Sequence, residues 1–183
     1  MDTDVIVVKP LDQLHNVVGF AQNDKLVNNA VLIFDKGNSF LADCINEYFS
    51  TFKTEVWGFN GPQLLTRVLK REPYNTCLDR AKKEQKGEKQ ASTVSSHILG
   101  AKNCPVSILK EEAFYPMRWY DVVETCFKDQ LNTSQVKATI EASSYIVHTN
   151  GKVSTEYFQN KLPPSTLCFW LYNSFCLFCD EVL

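Results

Sequence analysis

Apolar positions along the chain fall into short blocks separated by polar breaks. The block Val5-Ile6-Val7-Val8 predicts a buried strand, and Lys9-Pro10-Leu11 breaks it. A polar loop is expected from there through Asn28-Asn29, followed by a second buried strand at Ala30-Val31-Leu32-Ile33-Phe34. Asn38 or Ser39 is placed to cap a helix in which Phe40, Leu41, Cys44, Ile45, Tyr48, Phe49 and Phe52 recur at helical spacing, which predicts a core-facing stripe. In residues 57–69, Gly58 and Gly61 allow a tight turn and Pro62 suits the first position of a helix. Leu64, Leu65, Val68 and Leu69 then supply that helix with a buried stripe.

Residues 80–96 are polar, with Lys82, Lys83, Lys86 and Lys89 mixed among Glu84 and Glu88, and predict a solvated helix or a mobile insertion. Short extended pieces are expected at 106–109 and 113–116, with Trp119 close behind. Tyr145-Ile146-Val147-His148 reads as a further strand ending in a histidine. Past Pro163-Pro164, residues 167–177 read as an apolar helix docked on the body.

Composition narrows the class. The 183 residues fit one domain and can bury a core, with 44% apolar and 22% charged residues as in ordinary globular proteins. A net charge of −2 and a pI near 5.9 argue against a general nucleic-acid binder, which needs a basic face. No apolar run approaches the ~18–20 residues of a transmembrane helix, so this chain holds no such segment. Asp2 and Asp4 stand where a signal peptide would be basic.

The cysteines are Cys44, Cys77, Cys104, Cys126, Cys168, Cys176 and Cys179, an odd number that leaves one thiol over if the rest pair. With the Asn132-Thr133-Ser134 glycosylation sequon they lean toward an oxidising, lumenal environment. Cys176 and Cys179 lack the second ligand pair that zinc needs, and their apolar surroundings do not suit a redox pair, so a disulfide or buried thiols is preferred.

The candidate chemistry begins at Asp2-Thr3-Asp4. Residues i and i+2 of an extended segment point the same way, so both carboxylates can reach one divalent cation. Hard cations such as Mg²⁺ or Mn²⁺ bridge carboxylates to substrate phosphates. The triplet is short and arises by chance; taken alone it favours a solvated strand end. The Gly58–Gly61 turn before Pro62 can aim backbone N–H groups at an anion or a sugar hydroxyl, although an ordinary turn before a packed helix is the commoner meaning. A phosphate-ester hydrolase built on the Asp pair would need more acidic ligands than the chain supplies.

Read in order, these pieces resemble a known pattern. Asp2-Thr3-Asp4-Val5-Ile6-Val7-Val8-Lys9-Pro10-Leu11 resembles the metal-binding Asp-x-Asp segment of glycosyltransferase family 32, the alpha-1,4-glycosyltransferases of the lactosylceramide 4-alpha-galactosyltransferase type. Trp57-Gly58-Phe59-Asn60-Gly61-Pro62-Gln63-Leu64-Leu65-Thr66-Arg67-Val68 is similar to another family segment and is the most specific part of the match. Ala113-Phe114-Tyr115-Pro116 with Trp119, and the Val147-His148 strand end, follow in family order, and the apolar tail is most like that of plant members.

The resemblance implies an α/β fold: the C-terminal portion of a GT-A-like nucleotide-diphospho-sugar transferase domain, a mixed sheet with flanking helices. Residues 1–34 would be the remainder of the nucleotide-sugar-binding core. Residues 35–183 would be the alpha-1,4-glycosyltransferase C-terminal domain as one structural unit, with 80–96 a loop or insertion. It implies a Mn²⁺-dependent (or Mg²⁺-dependent) hexosyltransferase of the Golgi lumen, membrane-anchored at full length. Such an enzyme moves a sugar, galactose first, from a UDP-sugar to a glycolipid or glycan with retention. Asp4 would ligate the metal, and Asp2 would reach the metal through water or the donor's ribose. His148, which as a lone strand-end histidine would more often be structural, becomes the third contact to metal or diphosphate. Trp57, Asn60, Gly61 and Gln63 would line the sugar or acceptor pocket. No catalytic residue is nominated.

Two departures from the family pattern accompany it. The histidine is usually followed in a His-x-Trp-Asn-Lys pattern, whereas here Asn150 and Gly151 hold the Trp and Asn places before Lys152, which bears on the acceptor side of the pocket. The Asp pair normally follows a nucleotide-binding half, and here only Met1 precedes it. The alternative is therefore a non-catalytic fragment or pseudoenzyme that lacks the donor-binding half.

Overall fold

The computed structural model describes residues 1–23, 25–85, 104–128, 133–159 and 161–175. Along the chain lie β1 (Val5–Val7), β2 (Val17–Ala21), β3 (Leu26–Ile33), α1 (Ser39–Thr51), α2 (Pro62–Leu69), α3 (Asn75–Gln85), β4 (Ser107–Leu109) and α4 (Glu111–Phe114). A π-helical turn (Val123–Phe127), α5 (Thr133–Ser143), β5 (Ile146–His148), α6 (Gly151–Ser154), a 3-10 turn (Thr155–Gln159) and α7 (Leu167–Phe175) complete the order. The fold is mixed α/β, with small sheets flanked by helices. It divides into two compact units, residues 12–111 and residues 2–11 with 112–183. No helix among the described residues is long and apolar enough to cross a membrane.

In the first unit a three-stranded sheet runs β3-β2-β4, with β2 antiparallel to β3 and parallel to β4. All five residues of β2 are buried, as a central strand requires. This corrects the polar loop expected through Asn29: β2 lies inside it, and β3 begins at Leu26 and runs through both asparagines. Those polar positions are accommodated by a register shift between Val17 and Gly19 and by Asn28 Oδ1, which accepts a hydrogen bond from the Ala30 N–H at 3.0 Å. α2 follows Pro62 and buries Leu64, Leu65, Val68 and Leu69, as its stripe predicts. Thr66 ties it to the sheet by accepting from the Val27 N–H at 3.1 Å. β4 lies where an extended piece was expected. A disulfide joins Cys77 and Cys104.

α1 forms where its periodicity predicts, capped by Asn38 Oδ1 accepting from the Leu41 N–H at 3.1 Å, but it buries a different edge. Phe40, Cys44 and Glu47 face inward, while Ile45, Tyr48, Phe49 and Phe52 are 49, 39, 78 and 52% exposed. The predicted core stripe is thus largely a surface stripe. The inward edge accepts a carboxylate because two cations reach it: Arg67 Nε stands 3.0 Å from Glu47 Oε1 and Arg71 Nη2 2.8 Å from Oε2.

In the second unit β1 and β5 pair antiparallel, with Val5 opposite His148, Ile6 opposite Val147 and Val7 opposite Ile146. β1 alternates instead of being buried throughout: Ile6 faces the core and Val7 is 39% exposed, because a two-stranded ribbon covers one face only. Val8 lies past the strand, its N–H donating to Tyr145 O at 2.9 Å. Residues 111–114 form a helical turn where an extended piece at 113–116 was expected; Pro116 disfavours helix at the residue before it, and the turn stops at Phe114. The core gathers Ile6, Val122, Ile140, Val147 and Leu171 around the Cys126–Cys168 disulfide. α7 begins as predicted. Residues 86–96, Asn132, Cys176 and Cys179 lie outside the described residues.

Candidate functional site

β1 and β5 place the Asp pair and His148 side by side. Val5 is opposite His148 in the ladder, so Asp4 sits at the strand entry beside the last residue of β5. Asp2, Asp4 and His148 each offer one ligand atom, and the three atoms lie within 4.8 Å of one another. Asp2 is exposed, Asp4 half-buried, and His148 is 8% exposed.

The main chain of Asp4 is pinned by Thr149, whose N–H and Oγ1 both donate to Asp4 O, at 2.9 and 3.0 Å. Its Oδ2 accepts the Gly151 N–H at 2.5 Å and lies 3.1 Å from His148 Nε2. Nε2 is thus the ring nitrogen directed at the carboxylate, as donor or acceptor according to tautomer. Nδ1 is buried with no hydrogen-bond partner. The Tyr115 ring meets the imidazole edge-on at 5.9 Å between centroids and helps to fix its plane. Tyr172 lies by this network; burial pushes its phenol above the ordinary value and the Asp4 charge adds to that, against a lowering hydrogen bond with Thr149.

These residues fit a divalent cation. Two carboxylates and one imidazole make an oxygen-rich donor set of the kind Mn²⁺ accepts, and Mg²⁺ through the carboxylates alone. The His148 nitrogen that faces Asp4 is Nε2, 3.1 Å from Oδ2, so that nitrogen is the one placed to share an ion with the carboxylates.

The other candidates lie in the first unit: Trp57, Asn60 and Gly61 on the loop between α1 and α2, and Gln63 in the first turn of α2. Gly58 adopts φ +77° and its carbonyl accepts from the N–H groups of Gly61 and Gln63, at 3.3 and 3.0 Å. Trp57 is 70% exposed. Gln63 lies beside Gly58, its Nε2 at 3.9 Å from where a Gly58 Cβ would be. Gly61 is packed against Asn29, whose Oδ1 would be 2.7 Å from an added Cβ. Asn60 is committed to the main chain of Lys53: its Oδ1 accepts the Lys53 N–H at 3.0 Å and its Nδ2 donates to Lys53 O.

The parts that Thr149, Tyr115 and Gly151 take in holding Asp4 and His148 are not announced by their places in the sequence. Each acts by adjacency across the ladder or through the backbone, so composition gives no sign of it. The one available signal was the departure at 150–151 itself. Asn150 takes the left-handed conformation, φ 54°, which Asn tolerates better than Trp. Gly151 lets the backbone approach Asp4, where an added Cβ would stand 3.1 Å from Oδ2.

Comparison with known proteins gives the family. The family model described as "Alpha 1,4-glycosyltransferase conserved region" matches residues 33–183. Human lactosylceramide 4-alpha-galactosyltransferase is 32% identical over 154 residues, covering 84% of this chain and 37% of that protein. An uncharacterised protein of Arabidopsis thaliana is 41% identical over 73 residues, 39% of this chain and 11% of its own length. Human alpha-1,4-N-acetylglucosaminyltransferase is 31% identical over 70 residues, 38% of this chain and 20% of that protein. The chain therefore spans well under half the length of these relatives, and no solved structure matches it. With the family match covering all but the first 32 residues, the chain belongs to the alpha-1,4-glycosyltransferase family.

Proposed function

We propose that the chain carries the metal and acceptor side of a retaining glycosyltransferase. It would move a hexose from a UDP-sugar to a glycolipid or glycan hydroxyl, with Mn²⁺ (or Mg²⁺) as cofactor, on a GT-A-like fold. The observation that supports this best is the convergence of Asp2, Asp4 and His148 within 4.8 Å. Galactose and a ceramide glycolipid are favoured because relatives carry the name lactosylceramide 4-alpha-galactosyltransferase, and N-acetylglucosamine is the comparison donor. The Golgi lumen suits a chain with two internal disulfides.

Asp2, Asp4 and His148 would hold the ion, which when bound offsets charge on the departing diphosphate. Thr149 and Gly151 keep Asp4 in place through its carbonyl and Oδ2. Trp57 offers an exposed ring against which a sugar can stack, and Gln63 an amide for a hydroxyl. Asn60 shapes the loop through Lys53.

A second reading, a module that keeps the family body without donor binding, has one observation in its favour. Asp4 Oδ2 is already satisfied by Gly151 and His148, as a purely structural carboxylate would be. Titration calorimetry of the chain with UDP-galactose, with and without Mn²⁺, separates the two. Mn²⁺-dependent binding that Asp4→Ala removes is the expected result. Heat that ignores Mn²⁺, or its absence, overturns the transferase reading of this chain.

A further inference from the structure

Glu47 is the third inward position of α1, after Phe40 and Cys44, and it is only 6% exposed. An apolar side chain would fill that place without the desolvation cost of a carboxylate. Its ionised state is kept by partners. Burial pushes the carboxyl up, but hydrogen bonds from Arg67 and Arg71 outweigh that and leave it below the usual carboxylate range.

Arg67 bridges two pieces of chain, the last turns of α1 and the loop before α2. Nε pairs with Glu47 at 3.0 Å, Nη1 donates to the Phe59 carbonyl at 3.1 Å, and Nη2 donates to Thr51 Oγ1 at 3.4 Å. The guanidinium also lies 4.0 Å from the centroid of the Phe59 ring, and Lys53 Nζ 4.6 Å from it. Phe59 sits in the middle of residues 57–63. Its own N–H reaches Val56 O at 3.2 Å, so Arg67 grips the loop by carbonyl and ring together. A planar fork achieves this and a lysine ammonium does not.

We propose that Glu47 and Arg67 are the positioning pair for the loop that leads into α2: the buried carboxylate orients the guanidinium, which holds Phe59 and with it Trp57. The inference rests on the proposed acceptor role of that loop and adds what holds it in place. Neither residue is catalytic; both act through Phe59.

The test uses the full chain in four forms: wild type, Arg67→Lys, Glu47→Gln and Glu47→Asp. Arg67→Lys keeps the charge and guards against a Glu47→Gln variant that fails to fold. Hydrogen exchange followed by mass spectrometry on the 57–63 segment is expected to quicken roughly tenfold in Arg67→Lys, with the β2–β3 ladder unchanged. Transfer from UDP-galactose to lactosylceramide is expected to show an acceptor KM about fivefold higher with kcat nearly unchanged, and Glu47→Asp to recover part of it. A merely structural role would lower Tm without separating KM from kcat. Unchanged loop exchange in both Arg67→Lys and Glu47→Gln overturns the proposal whatever the activity. Loosened exchange with a wild-type KM overturns its link to the acceptor. If no form turns over, the transferase reading fails, while the exchange result still decides the positioning role.

Discussion

Gly151 donates its backbone N–H to Asp4 Oδ2 at 2.5 Å, and a Cβ at the same glycine would crowd Asp4, meeting that oxygen at 3.1 Å and the Asp4 Cβ at 3.2 Å. The family pattern places Asn where this chain has Gly. The glycine is thus part of how Asp4 is held.

Gly151→Ala is expected to push the Asp4 side chain by a few tenths of an ångström. If Asp4 holds the proposed cation, such a shift is expected to lower Mn²⁺ affinity about tenfold. Packing strain adds a stability loss of about 1–3 kcal/mol. Calorimetric titration with Mn²⁺ and a urea unfolding curve check the two parts. Wild-type Mn²⁺ affinity in Gly151→Ala would show that Asp4 is not held through this contact.

Cys44 is a buried free thiol on the inward edge of α1. Burial first, then the charges of Asp43 and Glu47, push its pKa up to about 12. The thiolate is the reactive form, so the folded protein should resist iodoacetamide at Cys44 from neutral pH to about pH 9. Peptide-resolved mass spectrometry is the check, with labelling at Cys44 expected only in denaturant. Prompt labelling of the native chain would contradict this burial.

How much of this was readable in the sequence depends on how far apart the partners lie. α2 was legible because Pro62, the glycines before it and four leucine and valine positions sit within one short window. α1 was legible as a helix but not in its orientation. Its aromatic residues outnumber Phe40 and Cys44, and the partners that let Glu47 turn inward come from 20 and 24 residues downstream, as the positions of Arg67 and Arg71 show. β2 was missed because Val17-Val18-Gly19-Phe20-Ala21 is short, carries a glycine, and lies between His15-Asn16 and Gln22-Asn23. Asp4 and His148 were both nominated, yet their contact spans 144 residues and exists because β1 pairs with β5 in one register. No local pattern encodes that register.

The Cys126–Cys168 disulfide ties the π-helical turn to α7 across 42 residues, with both sulfur-bearing residues fully buried. Closing a loop of that length constrains the unfolded chain, and losing it costs about 2–5 kcal/mol. The double variant Cys126→Ala with Cys168→Ala is expected to lose that much in urea unfolding. Protection from hydrogen exchange should fall first in α7, which the link anchors. A double variant as stable as wild type would mean that the apolar contacts of Leu167 and Leu171 suffice.

Glu47 sets an acid limit on stability, and the sign follows from its shift. Unfolded, its carboxyl has the ordinary value of 4.5; folded, the two arginines hold it lower. Above 4.5 both states are ionised and the ion pairs contribute in full. As pH falls below that value the unfolded state takes up the proton first, so the unfolded state gains and stability declines. The contribution is gone once pH has passed below the folded value. Urea unfolding of wild type and Glu47→Gln between about pH 3 and 6 isolates this group from the other carboxylates. The wild-type advantage over Glu47→Gln should be constant above pH 4.5 and shrink below it. If the two profiles run parallel through the acid range, the carboxylate of Glu47 is not what its arginine partners stabilise.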